Sequence, residues 1–147
     1  MSENLGFLIA DISRLMRREF DSRARRIGVT RAQWRTLSVL ARNQGSNQGT
    51  LAELLEVEPI TLGRMIDRLE EAGLVERRRD PADRRAWRIH LTDAAQPLIG
   101  ELRGIGEGLV EDVMTGLSQT QRDALFDSLT HIRTNLTPDQ TDEAANG

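Results

Sequence analysis

Residues 67–92 read DRLEEAGLVERRRDPADRRAWRIHLT, and the fold turns on this stretch. Backward from Gly73 runs a helical pattern: Leu62, Met65, Ile66 and Leu69 recur at three- and four-residue spacing, and a glycine stands just past its end. Pro59 occupies the first helical position, so a helix is expected over 59–72. Forward from Gly73, LVERRR and AWRIHL are two short strand candidates joined by the turn DPADRR. Trp87, Ile89 and Leu91 alternate with Arg88 and His90, which gives one apolar and one polar face. All three apolar residues are expected to anchor the hairpin to a core, and Thr92 to cap the helix that follows. The sixteen residues 77–92 hold six arginines against two aspartates, although the chain carries a net −3. A positive hairpin on an acidic protein points to a negatively charged partner.

Ahead of this stretch, Leu5, Leu8, Ile9, Ile12, Leu15, Met16 and Phe20 mark a helix over 5–26, ended by Gly28. Thr30 opens TRAQ, a capping box that starts a second helix to about Arg42, with Trp34, Leu37 and Ala41 as its buried stripe. NQGSNQG is a polar turn, and a short helix over 48–56 carries Leu51, Leu54 and Leu55. Beyond Thr92 a helix is expected over 93–116, with a kink or a late start at Pro97. Ser118 opens SQTQ, a second capping box, before a last helix with Leu125, Phe126, Leu129, Ile132 and Leu136.

The expected class is therefore mainly α with a small β wing: a winged helix-turn-helix over 30–92, flanked by dimerisation helices over 1–29 and 93–137. Residues 138–147 form an acidic, apolar-poor tail that is expected to be disordered. The flanking helices carry long apolar stripes, and a chain of 147 residues has few places to bury them, which suggests a second copy. There is no cysteine, so disulfide scaffolds and thiolate metal sites are excluded, and neither a metal nor a cofactor is expected. The apolar run LGFLIA is too short to cross a bilayer and has no basic segment before it, so no membrane association and a cytoplasmic location are expected. Every one of the 20 basic residues is arginine, a planar fork suited to phosphate and base edges.

On the 59–72 helix, at about 100° per residue, Thr61, Arg64 and Arg68 fall on an arc roughly 120° from the apolar one. A helix entering the major groove needs this division, although a solvated face with arginines paired to Asp67 or Glu71 has the same pattern. The hairpin weighs against the solvated reading. Its tip holds Asp83, Arg84 and Arg85, and an arginine there suits a narrow A·T-rich minor groove. Asp83 is expected to hold the Arg85 guanidinium by a bidentate bond. Arg84 is a reserve backbone contact. Arg77, Arg78 and Arg79 lead up one strand, open to phosphate contact or to structural pairing.

From TRAQWRTLSVL through the hairpin to LTDAAQPLI, the chain resembles the MarR family of bacterial transcriptional regulators, and most its SlyA branch. The resemblance covers all but the acidic tail and is sharpest where helix end, wing and next cap follow in one unbroken order. It implies that Thr61, Gly63, Arg64 and Arg68 face DNA. Gly63 replaces the small polar residue often found at its position. It further implies that Arg85 enters the minor groove beside Asp83 and that Gln48 meets phosphate. Such proteins are homodimers on pseudo-palindromes, often released by a small aromatic or phenolic acid. By resemblance Met16, Arg17, Trp34, Leu37 and Ser38 would line that effector's pocket. Trp34 also fits a plain core position, and Arg17 an ion pair.

Two other readings are weaker. For an enzyme the chain offers only His90 and His131, with no cysteine, tyrosine, phosphate loop or HExxH spacing. A winged module that binds DNA or protein without sequence preference is the remaining alternative.

Overall fold

The computed structural model describes residues 4–138. In chain order the elements are α1 (Leu5–Arg25), α2 (Arg31–Arg42), α3 (Gln48–Leu55), α4 (Pro59–Glu71), β1 (Val75–Arg79), β2 (Trp87–Leu91), a 3-10 turn (Asp93–Ala95), α5 (Gln96–Val113) and α6 (Gln119–Leu136). The class is the expected one, mainly helical with a two-stranded wing. The tail beyond Pro138 lies outside the described residues.

Local chemistry sets most boundaries. The Thr30 and Ser118 capping boxes both form, each hydroxyl accepting from the amide three residues on while that residue's glutamine accepts from the cap's amide. α4 starts at Pro59, and Gly73, at φ +76°, ends it in the left-handed conformation that glycine adopts without steric cost. Pro97 causes the late start: the chain passes through a 3-10 turn before α5 begins at Gln96. Thr92 does not cap by its side chain. Its hydroxyl donates instead to the Gly73 carbonyl (2.6 Å), which ties the end of β2 to the end of α4.

The chain divides into two compact units, one running to Leu109 and one from Val110. In the first, Leu37, Leu40, Leu51, Leu62, Ile66 and Ile89 are fully buried, so α2, α3, α4 and β2 share one core. Truncating one such leucine to alanine costs about 2–5 kcal/mol. Ala24 of α1 and Ile99 and Leu102 of α5 join the same core. These flanking helices thus also support the winged module. β1 and β2 pair antiparallel with Val75 opposite Leu91 and Arg79 opposite Trp87. The turn after α2 adds to this sheet, because Gly45 donates to the Ile89 carbonyl and Ile89 to the Ser46 carbonyl (2.9 Å each).

Three apolar assignments are corrected. Leu54 is half exposed on the outer side of α3. Trp87 is 40% exposed while Ile89 and Leu91 are buried, so only the latter two anchor the wing. The core ends before the strand does, and the Trp87 ring stacks instead against the Arg79 guanidinium, 5.2 Å from its centroid. Trp34 is half-buried, and its indole N–H donates to Asp21.

Much apolar surface stays uncovered. Within the first unit α1 buries only Ala24 and exposes Leu5, Phe7, Leu8, Ile9, Ile12 and Leu15. Within the second, α6 buries nothing and exposes Leu125, Phe126, Leu129 and Leu136. There the turn at Gly116 is held by Arg122, which bonds Glu111 and the Met114 and Leu117 carbonyls.

Candidate nucleic-acid interface

α4 turns Leu62, Ile66 and Leu69 into the core and leaves Thr61, Arg64 and Arg68 exposed. Among the described residues neither Arg64 nor Arg68 has an ion-pair partner. The solvated reading required pairing with Asp67 or Glu71. Asp67 is instead taken by Arg77 of β1 (2.6 Å). An unpaired guanidinium keeps all five donors for an outside acceptor.

Arg77 has the opposite surroundings. Its side chain is only 17% exposed. The guanidinium donates to Gln48 of α3 (3.1 Å) and to Glu70 and the Gly63 carbonyl of α4 (3.2 Å each), besides its pair with Asp67. Its backbone N–H donates to Glu70 as well (3.1 Å). Arg77 is therefore a staple joining α3, α4 and the wing, and the phosphate role considered for it is corrected to structural pairing. Gln48 is half-buried, with its side-chain oxygen committed to that staple. Gly63 offers its carbonyl to the staple. A Cβ there would meet only the Gln48 amide nitrogen, at 3.5 Å.

The wing tip is built from two aspartates, each closing a turn on its own backbone. Asp80 accepts from the Ala82 amide (2.8 Å) and the Arg88 guanidinium (3.1 Å). The backbone bond from Ala82, followed by Arg88, holds the Asp80 carboxyl below its ordinary value. Asp83 accepts from the Arg85 amide (3.0 Å), and its carbonyl from the Ala86 amide. Asp83 thus orients the Arg85 backbone, and the expected bond to the guanidinium is corrected accordingly. Arg84 and Arg85 are exposed and, among the described residues, without an ion pair.

The five effector positions have mixed surroundings. Leu37 is fully buried and presents nothing to a ligand. Trp34 is committed to Asp21 (2.6 Å) and stacked on Phe20 with ring centroids 4.4 Å apart. Asp21 also accepts from Arg31. Burial alone would raise the Asp21 carboxyl, but the bonds from Arg31 and Trp34 outweigh it and hold the value down. Met16 and Ser38 are half-buried and Arg17 is exposed. Neither the cleft of about 470 Å³ between Arg23, Arg26 and Ile27 of the α1 end and Glu101 and Ile105 of α5, nor the one of about 140 Å³ by Thr30 and Arg68, includes any of the five.

Helices α2 to α4 and the β1–β2 hairpin, with one exposed cationic helix face and a cationic tip, define a winged helix-turn-helix of the DNA-binding class. Residues 27–86 match the model of the MarR family. The chain is 37% identical to the transcriptional regulator PA3341, over 90% of this chain and 98% of that one, with a TM-score of 0.76. A MarR transcriptional regulator from Methanosarcina mazei Go1 matches at 27% identity, 89% and 94% coverage and a TM-score of 0.77. The transcriptional regulator SlyA matches at 26%, 91% and 94%, and 0.74. The chain belongs to the MarR family, whose members are transcriptional regulators and not enzymes. No described helix is long and apolar enough to cross a membrane.

Sequence reasoning found the α4 face and the tip because both are local. It left Arg77 open between phosphate contact and structural pairing, and it did not find the Asp80–Arg88 brace or the exposure of Ile60, 73% in the first turn of α4. For Ile60 the signal was available: an apolar residue standing outside the apolar arc of its own helix.

Proposed function

We propose that the chain acts as a homodimer on pseudo-palindromic, A·T-rich double-stranded DNA, α4 reading base edges and the wing tip entering the minor groove. The observation that carries this reading is the set of exposed arginines that, among the described residues, have no ion pair: Arg64 and Arg68 on α4, Arg84 and Arg85 on the tip. Forked donors on a helix suit guanine edges in the major groove. An arginine at a narrow tip suits the concentrated negative potential of A·T-rich minor grooves. The uncovered apolar faces of α1 and α6 support the homodimer, since each is too long a stripe to leave in water. Placement beside SlyA within the family rests on the unbroken order of residues 67–92, because SlyA and the Methanosarcina mazei regulator are matched about equally.

Selection from a random-sequence DNA pool tests the DNA reading. The expected result is a pseudo-palindrome with A·T-rich segments. Return of no consensus would support a winged module without sequence preference. Sedimentation at micromolar concentration is expected to give twice the chain mass, and a single-chain mass contradicts the homodimer.

A further inference from the structure

We propose that Ile60 reads thymine, by packing against the 5-methyl group in the major groove. The inference rests on α4 being the base-reading helix. Ile60 is the second residue of α4 and is 73% exposed, more than any apolar residue buried or half-buried around it. It points nearly opposite the arc of Leu62, Ile66 and Leu69, so it has no part in the core. It lies one turn before Arg64 and about 40° from it around the helix, at the edge of the polar face. A branched apolar side chain at the edge of that face is left to water and covers no part of the core. Its contribution arises only when something apolar meets it.

Gly63 is the second observation. It is the neighbour of Ile60 at three residues' spacing and leaves the flank of Ile60 open. The protein's own packing does not demand that glycine, since a Cβ would meet only Gln48 at ordinary contact distance. The open flank therefore faces what docks from outside. In the major groove, thymine is the one base that presents a methyl group, beside its O4 acceptor. Residues four apart on a helix stand about 5–6 Å apart at Cβ, and bases along one strand about 3.4 Å. Ile60 and Arg64 can thus address neighbouring base pairs, one by apolar contact and one by forked donation.

The test uses the full chain and a duplex obtained by the selection above. Each thymine of a half-site is replaced singly by deoxyuridine, which removes only the methyl group. At one thymine the wild-type protein is expected to bind about fourfold more weakly, the ratio that one buried methyl-sized group supports. Ile60→Ala is expected to bind both duplexes equally, and Ile60→Val to keep part of the ratio. Because the side chain is exposed, the thermal midpoint of Ile60→Ala should match wild type. An unchanged thymine-to-deoxyuridine ratio in Ile60→Ala overturns the proposal. If Arg64→Ala also leaves every base preference intact, the reading of α4 fails with it. If Arg64→Ala shifts a preference, only the Ile60 proposal fails.

Discussion

Arg77 and Arg85 belong to one hairpin and have opposite surroundings. At the base, Arg77 is enclosed by Asp67, Glu70, Gln48 and the Gly63 carbonyl, and all three guanidinium nitrogens are engaged. At the tip, the two aspartates turn toward backbone amides, and the Arg84 and Arg85 guanidinium groups are left to solvent. The difference lies in where the chain puts its own acids. Carboxylates on the C-terminal half of α4 take the cation that reaches them first. On the wing they shape the turn and spend no charge on its outermost arginines. Counting arginines in a basic stretch therefore overstates the DNA-facing charge, and the pairing decides which ones count.

The largest effect should follow loss of a tip cation. Arg85→Ala is expected to cost roughly 2–3 kcal/mol of operator affinity by gel shift, with the fold intact. An unchanged affinity removes the tip from the interface. Next comes Arg64→Ala, expected to cost about 1–2 kcal/mol at one base pair of each half-site and to relax preference there alone. A uniform loss over all sequences would make Arg64 a phosphate contact. Smaller still is Arg77→Met, expected to lower unfolding free energy by about 1 kcal/mol in urea. Asp67 and Glu70 are substantially exposed, so solvent screens the charges left behind. No shift in the urea midpoint would refute the staple.

The smallest effect concerns Asp21, where the same pairing principle joins α1 to α2. Its carboxyl lies below the ordinary value of 3.8 in the folded chain. Its contribution to stability is therefore full above that value and fades as pH falls through the lower folded one. Asp21→Asn should lower the urea midpoint near neutrality and converge on wild type as pH falls below about 3.8, its own midpoint being less steep with pH there. An acid profile identical to wild type would show that the Arg31 and Trp34 bonds carry no linkage.

What the sequence made legible was local. Both capping boxes, the Pro59 start and the alternation of β2 are set by residues within a few positions of one another. Alternation told which face of β2 is apolar but not where the core stops, so Trp87 was misplaced. Asp83 was rightly read as an acceptor, yet its donor is the Arg85 amide because a short aspartate side chain reaches its own backbone first. The Arg77 staple was not legible, because its partners range back to Gln48 on another helix. Leu37 was assigned to an effector pocket by resemblance, and the packing of α2 buries it.

The contrast between base and tip is tested most directly by the salt dependence of binding to the selected duplex. The slope of log K against log salt should fall by about 0.9 in Arg85→Ala and stay at the wild-type value in Arg77→Met. A reduced slope in Arg77→Met together with an unchanged one in Arg85→Ala would contradict the account.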